Sequence, residues 1–88
     1  MEVVKTYVFT EKEFKDILQK ANPLIQRKDI SVTYDRIRAN YRDENNEYKW
    51  VSEGDILRIF ESVVGDTLTN VFKIINLGKN YVYMTAKN

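Results

Sequence analysis

The chain predicts an α+β fold: a two-layer sandwich with two helices on one face of a mainly antiparallel sheet, in the order β-α-β-β-α-β-β. Three observations carry that expectation. Stretches rich in β-branched and aromatic residues, such as "EVVKTYVF" at 2–9 and "NVFKIINLGKNYVYM" at 70–84, read as strands. Two segments, opened by Thr10 and Ser52, carry apolar residues at helical spacing behind a capping signature. No linker, repeat or low-complexity stretch interrupts the 88 residues, so 1–88 reads as one globular domain.

The first strand, 2–9, places Val3, Lys5, Tyr7 and Phe9 on one side and Val4, Thr6 and Val8 on the other. Thr10 then opens a helix. Thr10 and Glu13 form a capping box, each able to satisfy a backbone N–H of the other, and Phe9 and Phe14 are spaced as a hydrophobic staple. Phe14, Ile17, Leu18 and Ala21 supply the buried stripe. Asn22-Pro23 ends the helix, because the proline ring pushes the preceding residue out of the α region. In "LIQRKD", Leu24 and Ile25 are expected to tuck beneath the core.

A second strand runs from about Ile30 to Tyr41, and a third covers Tyr48 to Val51 beyond the polar turn "RDENNE". The second helix starts by the device used in the first, with Ser52 at the N-cap, Asp55 at N3, and Val51 and Ile56 as the staple. Ile56, Ile59, Phe60 and Val63 face inward, and Gly65 closes the helix. Two last strands meet at Gly78-Lys79. Val71, Lys73, Ile75, Val82 and Met84 share one face of that hairpin, and Phe72, Ile74, Tyr81 and Tyr83 the other.

Register decides what the central hairpin, "YDRIRANYRDENNEYKW" at 34–50, presents to solvent. Pairing Tyr41 with Tyr48 and Ala39 with Trp50 collects Ile37, Ala39, Tyr41, Tyr48 and Trp50 on a dry face. Tyr34, Arg36, Arg38, Asn40, Lys49 and Val51 then stand on the wet one. In this reading Trp50 is core and the arginines point outward.

The first six elements resemble the order of ferredoxin-like domains, with an added C-terminal strand. That resemblance implies an open sheet face. A plain solvated face explains Arg36, Arg38 and Lys49, since antiparallel sheets commonly keep one side wet. Two layers cannot cover both sides of the outer strands, however, so Tyr7, Tyr81 and Tyr83 are expected to stay accessible beside the basic stripe. The candidate partner-binding residues are Tyr34, Arg36, Arg38, Lys49, Tyr7, Tyr81 and Tyr83. Tyrosine and arginine are favoured at interfaces because each combines contact area with hydrogen bonding.

Much chemistry is set aside by composition. The chain has no histidine and no cysteine, which removes the usual proton shuttles, nucleophile triads, disulfides and zinc sites. Glycines at 54, 65 and 78 build no phosphate-cradling loop. Asp43, Asn45 and Glu47 faintly imitate the start of a calcium loop. Tyr48 stands at its required glycine and Gly54 at its terminal glutamate, so the match fails. Catalysis, a cofactor and a resident metal are therefore not expected. No apolar run approaches the roughly 18 residues needed to cross a bilayer, and "MEVVKTYVF" lacks a signal-peptide pattern, so a cytoplasmic location is expected.

The functional expectation is a non-enzymatic module that binds another protein. It has the look of an inhibitor or adaptor of the kind carried by phages and mobile elements, occluding a host enzyme or defence complex. Two alternatives accompany it. Nucleic acid or a nucleotide could bind on the open sheet, although "EYKWVS" lacks the aromatic-glycine signature of ferredoxin-like RNA binders and a net charge of +1 offers little phosphate affinity. A homodimer could instead cover the aromatic face.

Overall fold

The computed structural model describes residues 4–32, 37–76 and 78–87, with backbone alone for Val4, 72–76 and Lys87. The elements are β1 (Val4–Thr10), α1 (Glu11–Ala21), a short 3-10 turn (Arg27–Asp29), β2 (Ile30–Val32), β3 (Ile37–Arg42), β4 (Tyr48–Trp50), α2 (Glu53–Val64), β5 (Leu68–Asn76) and β6 (Lys79–Lys87). The α+β sandwich and its alternation of strands and helices hold. The strand read from Ile30 to Tyr41 is in fact a hairpin, because β2 and β3 pair antiparallel, Ile30 opposite Ala39 and Val32 opposite Ile37.

The strands form two three-stranded antiparallel sheets, ordered β1-β6-β5 and β2-β3-β4, in place of one sheet. A ferredoxin-like sheet holds its first strand centrally. Here β1 is an edge strand that pairs with β6, so that finer topology is corrected. Neighbouring strands in sequence close on each other with little loop entropy, which favours the hairpins β2-β3, β3-β4 and β5-β6. Among the described residues no helix is long and apolar enough to cross a membrane.

Local chemistry sets both helices. Thr10 Oγ1 accepts from the Glu13 N–H at 3.1 Å, and Glu13 Oε1 accepts from the Thr10 N–H at 3.0 Å, completing the capping box. Ser52 Oγ accepts from the Asp55 N–H at 3.1 Å. Gly65 closes α2 at φ 74°, a left-handed conformation that glycine adopts without a Cβ clash. The two phenylalanines of the α1 staple meet through a third ring. Phe60 stacks on Phe14 at 5.3 Å and takes the edge of Phe9 at 4.9 Å.

One contiguous core joins all layers: Phe14 and Leu18 from α1, Ile56 and Phe60 from α2, Val82, Met84 and Ala86 from β6, and Ile30, Val32 and Ala39 from the smaller sheet. Asn80 ties the two sheets together, its Nδ2 donating to the Val32 carbonyl at 3.1 Å and to Glu11 Oε2 at 3.3 Å. Ile25 tucks in as expected, whereas Leu24 is half exposed, because the turn after Asn22 directs it outward. Val63 is also half exposed. The buried face of α2 is rotated toward Leu57 and Val64, which pack against the core in its place.

The main departure lies in the central hairpin. Asn40 pairs with Trp50, Tyr41 with Lys49 and Arg42 with Tyr48, one residue away from the expected register. The faces of β3 stand as read, with Ala39 wholly buried and Arg38 exposed. Those of β4 are inverted: Trp50 is 57% and Tyr48 50% exposed. The turn explains the slip. Asp43 Oδ1 accepts from the N–H groups of Asn45 and Glu47, both at 2.9 Å, and Asn46 takes a left-handed φ of 62°. These contacts close residues 43–47 as a loop between Arg42 and Tyr48, and loop geometry fixes hairpin register.

Candidate binding surface

With that register, alternation brings Arg38, Asn40 and Arg42 of β3 to the same face as Tyr48 and Trp50 of β4. The four large side chains form a continuous ladder. The guanidinium carbon of Arg38 lies 5.7 Å from the centre of the Trp50 ring, and that of Arg42 lies 5.4 Å from the centre of Tyr48. The two rings meet edge to face, centroids 5.6 Å apart and planes at 77°.

Each cation–π contact at an exposed site contributes about 0.5–1 kcal/mol, and an aromatic pair about 0.5–1.5 kcal/mol. These energies are small against core burial. They bias the side chains toward one arrangement and so lower the entropy cost of engaging a partner.

Clefts adjoin the ladder. Trp50 lines one together with Ala21, Ile25, Tyr41, Val51 and Ile59. Tyr48 and Arg42 line another with Leu24, Lys28, Asn40 and Tyr41. Half-exposed Leu24 thus adds an apolar wall beside Tyr48. Arg42 is further oriented by donating from Nη1 to the Asn46 carbonyl at 3.1 Å, so the turn that sets the register also aims the arginine.

The residues expected to bind a partner do not form one surface. Arg38 stands in the ladder. Tyr34 and Arg36 lie outside the described residues. Lys49 points to the opposite side of β4 from Trp50, beside Tyr41, and pairs with Glu47 at 3.5 Å and Asp43 at 4.0 Å. Tyr7 lies across from buried Met84 on the helix side of β1, and its hydroxyl donates to the Asp66 carboxylate. Tyr81 and Tyr83 are half-buried on the far side of the larger sheet, opposite Thr10 and Val8. Sequence reasoning turns Tyr48 and Trp50 inward and leaves Arg42 in the polar turn, so none of the three stands among the expected partner-binding residues. The signal that finds them is Asp43, placed to accept from N–H groups two and four residues on.

Ionisation shifts cluster away from the ladder. The Asp66 carboxylate, by accepting the Tyr7 hydrogen bond, raises the phenol above its ordinary value. Glu13 is held below the carboxylate range by the Thr10 N–H, and Asp16 by hydrogen bonds from Arg27 and then Lys12. Among the described residues no three His, Cys, Asp or Glu side chains converge as metal ligands would. Comparison with protein-family models, curated proteins and solved structures finds no match to this chain.

Proposed function

We propose that this chain is a non-catalytic module that binds another protein through the outer face of β3 and β4 and acts by occluding the surface it covers. The observation that carries this reading is the exposure of Trp50 and Tyr48, each with a guanidinium over its ring. Trp, Tyr and Arg are the residues most enriched among energetically dominant interface positions. Leaving a tryptophan 57% exposed forgoes burial that a core position would provide, and a partner's surface recovers it. A chain without histidine or cysteine supplies few groups for chemistry, which accords with binding alone.

Nuclease-treated pull-down with the tagged chain tests this. The expected result is a protein retained stoichiometrically by the wild type and lost with the Trp50→Ala, Tyr48→Ala double variant. No retained protein, or equal retention by both chains, contradicts it.

Nucleic-acid binding is the second reading, favoured by the same pairing of exposed rings and arginines. Against it, the rings meet edge to face and offer no parallel platforms, and Asp43, Glu44 and Glu47 crowd one end of the ladder.

A further inference from the structure

Among the described residues most cations away from the ladder face carboxylates, Lys20 and Lys79 excepted. Lys5 faces Asp66, Lys12 and Arg27 share Asp16, Lys15 faces Glu11, Arg58 faces Asp55, and Lys49 faces Asp43 and Glu47. Among the described residues no carboxylate pairs with Arg38, Arg42 or the nearby Lys28. Arg38 is held by the Trp50 ring and Arg42 by the Tyr48 ring and the Asn46 carbonyl. A guanidinium over a ring keeps N–H donors at its rim, in a fork that matches a carboxylate.

Spacing selects the shape of the ligand. Arg38 and Arg42 lie four residues apart on one face of β3, about 13 Å along the strand. An extended segment meets that distance with carboxylates at i and i+4, which share a face. A helix covers roughly 13 Å in about nine residues, by which point the side chain has turned to the opposite side. An extended segment matches the spacing more closely than a helical one, whose same-face pair at i and i+7 spans about 10.5 Å. The acidic turn at 43–47 repels a long polyanion, whereas a short segment with neutral flanks avoids it.

We propose that the outer face of β3 and β4 binds an extended acidic segment of a partner protein. Two carboxylates on one side of that segment dock on Arg38 and Arg42, and the residue between them rests against Trp50 and Tyr48. This inference rests on the protein-binding reading above and adds the chemistry of the partner to it.

Trp50 is the sole tryptophan, so its fluorescence reports on the surface directly. The probe is a short peptide, Thr-Thr-Glu-Thr-Thr-Thr-Glu-Thr-Thr, whose two glutamates share one side about 13 Å apart between neutral flanks. The Gln-Thr peptide of equal length and an oligo-dT of similar charge serve as comparisons. The expected result is a saturable change with the Glu-Thr peptide that weakens as salt rises. The Gln-Thr peptide and the oligonucleotide bind at least about ten-fold more weakly. Arg38→Gln with Arg42→Gln weakens the Glu-Thr response at least about ten-fold while the chain still unfolds cooperatively, its thermal midpoint lowered by several degrees.

No response to the Glu-Thr peptide, an equal response to Gln-Thr, or a response that survives the arginine substitutions overturns the inference. Tighter binding of oligo-dT overturns it and assigns the surface to nucleic acid. The pull-down separates this failure from that of the broader reading. A protein lost with the aromatic double variant but retained by the arginine double variant sinks the acidic segment and leaves protein binding standing. Retention of nothing sinks the protein-binding reading itself.

Discussion

The two sheets read differently from sequence, and the difference has a physical source. In β1-β6-β5 the strands span seven to nine residues, and the alternation of Val82, Met84 and Ala86 with Tyr81, Tyr83 and Thr85 runs long enough to allow one inward face. A one-residue slip there would expose several fully buried side chains together. In β2-β3-β4 the outer strands are three residues long, and β4 contributes no buried side chain. Little burial is at stake in its register, so the turn decides. A pairing that buries side chains takes its register from the hydrophobic pattern, and one that does not, such as β3-β4, takes it from its loop.

This contrast predicts unequal consequences of mutation. Phe60, wholly buried between Phe9 and Phe14, anchors α2 to the helix-covered side of the larger sheet. Phe60→Ala is expected to cost about 3–5 kcal/mol in urea unfolding. A loss below about 1 kcal/mol would mean that the core is not organised around that ring.

Asp43→Ala removes two hydrogen bonds to backbone N–H groups in the turn and is expected to cost about 1–2 kcal/mol. More tellingly, it frees β4 to slip. Amide exchange should accelerate at Tyr48 and Trp50 while β5 and β6 stay protected. Uniform acceleration across both sheets would contradict the division between them. Trp50→Ala is expected to cost a comparable amount, about 1–2 kcal/mol, because a cation–π contact, an edge-to-face contact and the packing of the covered part of the ring are lost.

The smallest effect is electrostatic. Asp16 and Glu13 have folded-state values below those of the unfolded chain, so their contribution is in place above the ordinary carboxylate range. It is lost as pH falls through the lowered values. The thermal midpoint should decline below about pH 4, and Asp16→Asn should flatten part of that decline. Identical profiles for the variant and the wild type would remove Asp16 as a contributor. Tyr7 acts in the opposite sense: its value is raised, so what it adds is lost as pH climbs above about 10.

The parts of the fold legible in sequence are those written in local chemistry. The capping box of Thr10 and Glu13, the Ser52 cap, the stop at Asn22-Pro23 and the left-handed Gly65 each depend on a few neighbouring residues. Division into two sheets was not legible, because it depends on which distant strands meet, and β1 with β6 is a pairing no local signal encodes. The candidate surface was half legible. Alternation along β3 places Arg38 outward as found, while the register that pairs Tyr41 with Tyr48, chosen because it separates aromatics from charges, turns Tyr48 and Trp50 inward. A guanidinium over each ring lowers the cost of that exposure, and Asp43 enforces it.

Everything functional depends on Trp50 standing outside. Emission from that single indole, with acrylamide quenching, measures this directly in the folded chain. A red-shifted maximum with quenching close to that of the unfolded protein is the predicted result. A blue-shifted, quench-resistant emission would place the ring opposite Ala39 in the core and dissolve the ladder.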